Sequence, residues 1–222
     1  MIPTPMPNMV SAPRNAFRRR RTLATMAVAV LAPFALAGAQ SPALSPTPSQ
    51  VEGPFYPKTF PADRDSDLTQ IVGRSARALG TPLYLSGRVR NRDGRPLANM
   101  TVELWQCDVY GRYHHAGDDG QPRDDNFQGY GVATTDAEGR YAFKTIRPVA
   151  YGGRPPHLHV KLRAPGTGAL TTQLYVAGDP VEGDVVLGSS PQGTLARLAI
   201  ALRPDPNHES GALAGTFDFV LR

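Results

Sequence analysis

The feature that most limits what this chain can become is its punctuation. From Leu83 to Leu221, short runs of apolar–polar alternation follow one another, each broken by a turn before it could become a core helix. Leu83-Tyr84-Leu85-Ser86-Gly87-Arg88-Val89 alternates and then meets Asn91-Arg92-Asp93-Gly94, a hairpin signal. Thr134-Thr135-Asp136-Ala137-Glu138-Gly139 is a second turn, leading into Arg140–Lys144. Further runs lie at Met100–Cys107, His157–Leu162, Leu170–Val176, Leu195–Leu202 and Thr216–Leu221. Leu198, Ile200 and Leu202 are expected on one strand face, as are Phe217, Phe219 and Leu221. With 22 Gly and 22 Pro, turn formers are abundant enough to sustain this rhythm. The pattern predicts an all-β fold, an antiparallel β-sandwich of about seven to nine strands with long loops carrying the site.

Within that pattern His157-Leu158-His159 stands on a strand. A period of two turns both imidazoles to one face, within reach of a single metal ion. Alone the pair is weak, because such histidines are often only hydrogen-bonded or solvated. Its surroundings add weight. Arg154-Pro155-Pro156 leads directly into it, and each Pro fixes φ near −65° and so the approach of the chain. Tyr151 precedes it closely, and Tyr113 lies upstream in Trp105-Gln106…Gly111-Arg112-Tyr113. Two imidazoles with two phenols form a hard N/O donor set lacking thiolate and carboxylate, suited to Fe(III) over Zn(II) or Ca(II).

Four motifs in order, Gly53-Pro54-Phe55-Tyr56-Pro57, Trp105-Gln106…Tyr113, Tyr151…Arg154-Pro155-Pro156-His157-Leu158-His159 and Thr171-Thr172-Gln173-Leu174-Tyr175…Gly178-Asp179, resemble the intradiol aromatic-ring-cleavage dioxygenases of protocatechuate 3,4-dioxygenase type. The resemblance runs from Val51 to Asp179. It implies an Fe(III) enzyme that opens a catechol with O2 to a muconate-type diacid. Tyr113 would be the tyrosinate that stays on the metal, and Tyr151 the axial one that leaves when the diol binds. His157 and His159 would complete the ligands, Arg154 would stabilise charge developing on the substrate, and Gln173 would stand near the pocket. One departure is plain: only Gly152 and Gly153 separate Tyr151 from Arg154, where the family carries a longer insert that walls the pocket.

Other residues read more plainly. Trp105 is expected in the sandwich core, His114 and His115 in a loop, and Asp118-Asp119 with Asp124-Asp125 in a solvated loop. A lone Cys107 excludes an intramolecular disulfide and thiolate clusters. The main alternative is a non-enzymatic, transthyretin-like β-sandwich binding module, since one sandwich hosts many functions. A zinc or copper site is weaker, for want of a third His or a carboxylate beside the pair.

The net charge of +5 invites a nucleic-acid reading, but its location removes it. Residues 1–39 hold Arg14 and Arg18 to Arg21 and no acid, which leaves 19 basic against 19 acidic residues elsewhere. A neutral body offers no electrostatic footprint for phosphates. The first 39 residues read as a twin-arginine-like export signal: the arginines, an uncharged run from Thr22 to Ala39 interrupted by Pro33, and Ala37-Gly38-Ala39 as a cleavage pattern. That run is 18 residues, short of the roughly 20 that span a bilayer comfortably, so no stable membrane span is expected after removal. Residues 40–50 read as a Ser/Pro linker and 51–222 as the domain, placed in the periplasm or outside the cell. Changing Arg18, Arg19, Arg20 and Arg21 together to Lys is expected to abolish export and leave the domain folded. Fractionation that finds the variant exported like wild type would refute the leader.

Overall fold

The computed structural model describes residues 42–163 and 170–222; the expected leader lies outside them. Two five-stranded sheets face each other. In the first, β1 (Pro82–Arg90) pairs along one edge with β4 (Arg140–Ile146) in antiparallel register, Leu85 opposite Phe143. Its other edge is shared in series by β9 (Leu213–Thr216) and then β10 (Phe219–Val220), both parallel to it, and β8 (Arg203–Pro204) flanks β9. The second sheet runs β3 (Tyr130–Thr134), β2 (Thr101–Trp105), β5 (His157–Arg163), β6 (Leu170–Val176), β7 (Ala199–Ile200). Its first four strands are antiparallel and β7 is parallel to β6.

The core follows from the period-two alternation. Leu83, Leu85, Val89 and Phe143 from the first sheet meet Val102, Leu104, Leu158, Val160, Leu162 and Leu174 from the second, all buried. Gln106 ties the sheets where β2 ends: Thr145 Oγ1 donates to its Oε1 at 2.8 Å, and its Nε2 donates to the Ile146 carbonyl at 3.2 Å. All three positions are fully buried, so each polar atom needs such a partner.

The β-sandwich expected from the turn rhythm is what forms, but it is mixed rather than purely antiparallel. The expected strand at Leu195–Leu202 is instead a helix, α2 (Thr194–Leu198), running into the two-residue β7. Leu, Ala and Arg favour that helix, and it still delivers Leu198 and Ile200 to the core. The run at Thr216–Leu221 divides at Phe217 between β9 and β10. Strand β3 was not foreseen, because Gly129-Tyr130-Gly131 reads as loop. A helix α1 (Val185–Gly188) sits between β6 and α2, and no helix among the described residues is long and apolar enough to cross a membrane.

The largest correction concerns the Ser/Pro linker. Residues 42–50 are a strap laid over both sheets. Leu44 N–H donates to the Arg92 carbonyl, Thr47 N–H to Val220, and Gln50 N–H to Thr171, at 2.7–2.9 Å. Thr172 Oγ1 donates to the Pro48 carbonyl at 2.7 Å. A Pro-rich chain makes no internal backbone bonds, so its carbonyls and remaining N–H groups are free for such edges.

Leu158 is wholly buried beneath the strand face that carries the two histidines. Leu158→Ala is expected to lower stability by about 2–5 kcal/mol through lost contacts and the cavity left behind. Denaturant unfolding measures this, and a loss below about 1 kcal/mol would contradict the packing described.

Candidate metal centre and active site

The site stands on the outer face of the second sheet, the face turned from the core. With Leu158 and Val160 inward, His157 and His159 must point outward. Register aligns Tyr130, Trp105, His159 and Gln173 in one row across four strands, with His157 beside Tyr175 one pleat further on. Trp105 therefore belongs to a second aromatic cluster outside the main core, which corrects the expectation for it. It stacks on the His159 ring at 4.8 Å and 13°.

Both imidazoles turn their Nε2 atoms to one point, 3.2 Å apart. His157 Nδ1 lies 2.7 Å from the Pro155 carbonyl, which can only accept, so Nδ1 carries the proton and Nε2 the lone pair. The Pro pair thus fixes a tautomer as well as a backbone path. Burial pushes His157 down to about 4; burial, then His157 and Arg154, hold His159 well below the ordinary range. Both rings are neutral at pH 7 and able to act as ligands.

The strap closes the site from above. Gly53 has φ of +78°, and a Cβ there would come within 3.3 Å of His159 Cε1, so the backbone rides on the imidazole only because no side chain is present. Phe55, two residues on, stacks on Tyr113 at 4.7 Å and 21°. Lys161 pairs with Glu52, and Tyr56 Oη donates to buried Glu103 at 2.6 Å, which anchors the strap on both sides of Gly53.

Tyr113 is presented by the long loop between β2 and β3, and buried carboxylates shape that loop. Asp108 Oδ1 accepts from the N–H groups of Tyr110 at 2.9 Å and Arg112 at 3.0 Å, while Oδ2 accepts from Asp124 at 2.7 Å. Asp118 Oδ2 accepts the Tyr113 N–H itself at 2.9 Å, and Asp124 Oδ2 that of Leu79 at 2.6 Å. The solvated-loop reading is corrected for Asp118 and Asp124, which brace the loop; Asp119 and Asp125 are the exposed partners. His114 and His115 do lie in the loop, both partly buried.

Tyr151 and Arg154 come from a two-residue turn. Arg154 N–H donates to the Tyr151 carbonyl at 2.7 Å and Tyr151 N–H to that of Arg154 at 3.2 Å. Gly152 and Gly153 have φ of 54° and 76°, the left-handed pair that a type I′ turn requires. The turn sets the Tyr151 ring 5.4 Å from His157 and 5.0 Å from Tyr113, edge to face. Arg154 Nη1 reaches 3.2 Å from His157 Nε2.

Tyr113, Tyr151, His157, His159 and Arg154 are therefore brought together in one place. Gln173 shares their row but is fully buried, with Nε2 donating to the Val51 carbonyl at 2.9 Å and Oε1 3.0 Å from Tyr175 Oη. It holds the strap rather than facing an open pocket. A cleft of about 820 Å³ opens beside Tyr113 and Trp105, with Phe55, Phe60, Ile71 and Phe127 on its apolar walls and Asp63, Arg74, Arg123 and Asp125 on its polar ones; of the candidate ligands only Tyr113 lines it. Three residues escaped the sequence reading: Asp108, Tyr175 and Asp184. Asp184 had a signal, an acidic cap before the apolar pair Val185-Val186. Tyr175 lies on the His157 face by simple alternation from Gln173.

The donor set fits a hard cation. Burial, then the Tyr151 phenol, raises Tyr113 well above the ordinary phenol range, and burial raises Tyr151 against the opposing pull of Arg154. Tyr113 Oη is buried without a hydrogen-bond partner. An unpartnered phenol oxygen beside two converging imidazole nitrogens is what a cation would satisfy, and the phenols would ionise onto it. Among the described residues no group of three His, Cys, Asp or Glu is gathered for a metal, so the phenols are essential to any such site.

Known proteins carry the same arrangement of sequence. A family model described as Dioxygenase matches residues 51–222. The protocatechuate 3,4-dioxygenase beta chain of Burkholderia cepacia is 39% identical over 168 residues, 71% of this chain and 72% of that one. Catechol 1,2-dioxygenase 2 of Acinetobacter lwoffii is 36% identical over 152 residues, though the match spans only 52% of its length. Among solved structures, the dioxygenase domain of a dioxygenase carbohydrate-binding protein fusion from Streptomyces sp. SirexAA-E superposes with a TM-score of 0.59 at 34% identity, covering 80% of this chain and 98% of that one. Catechol 1,2-dioxygenase from Pseudomonas arvilla C-1 gives 0.60 at 28%, covering 79% and 62%. The binding-module alternative falls with these matches. Fold, motif order and relatives agree: the chain belongs to the intradiol ring-cleavage dioxygenase family, and it is an oxidoreductase of that kind.

Proposed function

We propose that this enzyme holds one Fe(III) with Tyr113, Tyr151, His157 and His159 and opens a catechol-type diol between its two hydroxyl-bearing carbons. Both atoms of O2 enter the product, so that diol plus O2 gives a muconate-type diacid with no other reactant. The observation that carries the reading is the convergence of two neutral imidazoles, their Nε2 atoms 3.2 Å apart, with two phenols, of which Tyr113 Oη is buried without a hydrogen-bond partner. The relatives' names, protocatechuate and catechol dioxygenases, support the substrate class. The Arg18–Arg21 leader supports a site of action outside the cytoplasm.

When bound, the ferric ion would supply Lewis acidity that binds the diol as a dianion and renders its ring reactive toward O2. The protein's own groups do the rest. Tyr151, half-buried at the rim, can take a diol proton at Oη, and its raised phenol value keeps that proton in place at neutral pH. Tyr113, buried and clasped by Phe55 and Asp118, stays where it is. Arg154 presents Nη1 at the rim and stabilises negative charge as it develops on the substrate's oxygens. The cleft beside Tyr113 offers the aromatic walls of Phe55, Phe60 and Phe127 to a flat ring.

Protein purified without an affinity tag is expected to contain about one iron per chain and to be red to purple from phenolate-to-iron charge transfer. Protein that remains colourless after ferric reconstitution would overturn the assignment. Tyr151→Phe should keep much of the iron and turn over catechol poorly. His157→Ala and His159→Ala should each lose the metal. Arg154→Leu should keep iron and colour but lose rate by about 10²–10³, the common cost of removing one preorganised charge. Iron content beside oxygen consumption for the four variants decides the matter, and full activity in the Arg154 variant would exclude the role given to it.

A further inference from the structure

Arg154 is held by a partner of its own. The guanidinium has three nitrogens, and two of them face away from the histidines. Nε lies 3.1 Å and Nη2 2.9 Å from Asp184 Oδ2, and Nη2 is also 3.2 Å from Tyr175 Oη. Only Nη1 is turned toward His157. The Asp184 side chain has no exposure and that of Arg154 has 14%, so this is an ion pair taken almost entirely out of water. The two carboxylate oxygens overlap in their work. Oδ1 caps helix α1, accepting the N–H groups of Val186 at 2.7 Å and Leu187 at 3.0 Å, and also accepts from Arg154 Nη2 at 3.3 Å. Oδ2 faces the arginine alone and takes its Nε and the shorter Nη2 contact. Tyr175 Oη extends the contact to Gln50 of the strap at 2.7 Å and to Gln173 at 3.0 Å.

The geometry points to Asp184 as the positioning residue of the active site, which locks the Nε–Nη2 edge of Arg154 so that Nη1 alone is offered to the substrate. The inference rests on the ring-cleavage reading of Arg154, and it concerns a residue that makes no contact with the diol. Rotation about the Cδ–Nε bond would swing Nη1 away from the histidines; a carboxylate bound to Nε and Nη2 forbids that rotation. An arginine free to turn would spend most of its time out of reach, and misplacement by about 1 Å can cost about 10²-fold in rate.

Asp184→Asn keeps the cap and removes the charge and the Nε contact. Asn Oδ1 can still cap α1 and accept the 3.3 Å contact from Nη2, but its amide nitrogen presents donors to the donors at Nε and Nη2, so the two-point grip is lost and the guanidinium is free to turn. The first measurement needs neither metal nor substrate: hydrogen exchange of the Arg154 Nε–H, followed by ¹⁵N NMR in iron-free protein. Slow exchange in wild type and fast exchange in Asp184→Asn are expected, with cooperative unfolding retained in both. The second is a double-mutant cycle on iron-loaded protein. Asp184→Asn should lower kcat by about 10- to 100-fold in the wild-type background and by less than about twofold in Arg154→Leu, because it acts through the arginine. Iron content should not change in either. Unchanged Nε–H exchange in Asp184→Asn overturns the inference. So does an equal loss of kcat in both backgrounds, which would make Asp184 merely structural. Wild-type protein that cleaves no catechol would instead remove the functional reading, and the exchange measurement would still decide the ion pair.

Discussion

The first half of strand β5, His157–Val160, is buried on both faces, and the site is arranged around that fact. The strand's inner face, Leu158, Val160 and Leu162, is core; its outer face, His157 and His159, is the site. One buried face already specifies a strand's register, because a slip by one residue inverts every side chain, and here both faces enforce it. A slip by one residue would drive two imidazoles into an apolar core and leave three aliphatic side chains among phenols. The hydrophobic effect therefore sets the position of the candidate ligands as firmly as any hydrogen bond does. What the outer face lacks is a second sheet to cover it, and the strap with its three aromatic and glycine contacts supplies that cover.

The loop that presents Tyr113 is held by carboxylates as well as by apolar packing, with Phe127 fully buried in the core. Asp108 and Asp124 accept backbone N–H groups within the Tyr113 loop, and Asp118 accepts that of Tyr113 itself. Buried acceptors of this kind hold their geometry because losing a partner leaves a charge with nothing to satisfy it. The arrangement explains how a loop of more than twenty residues, with little regular structure, can hold an aromatic side chain in one place. Aliphatic packing would fix where the loop sits but not where one phenol oxygen points.

The sequence was legible where a local rule and the tertiary packing agreed. Alternation alone put His157 and His159 on one face, whereas the Gly152-Gly153 pair read only as a missing insert, and the structure shows it as the tight turn that joins Tyr151 to Arg154. It was illegible where the decisive partner lay far along the chain. Asp184 reads locally as a helix cap, and only the fold brings it to Arg154, 30 residues earlier. Trp105 reads as a core residue because it is large and apolar, but the parity of β2 places it outside. The Ser/Pro segment carried no hydrophobic pattern, and its order comes from backbone hydrogen bonds that composition does not report. Leu195–Leu202 failed for a different reason: an apolar run of that length suits helix or strand equally, and its helix-forming residues decided the outcome.

That strap has a consequence for how the molecule is made. Thr47 Oγ1 accepts the N–H of Val220, a partner 173 positions away, and Gln50 reaches Tyr175 across 125. Contacts of such separation demand a large loop-closure entropy before they return any energy, and they form after the nearer strand pairs exist. On a ribosome the strap emerges before either sheet, and its bonds to Tyr175 and Val220 wait for those residues to follow. The closure entropy of those bonds is therefore met most cheaply once the sheets have brought their partners near.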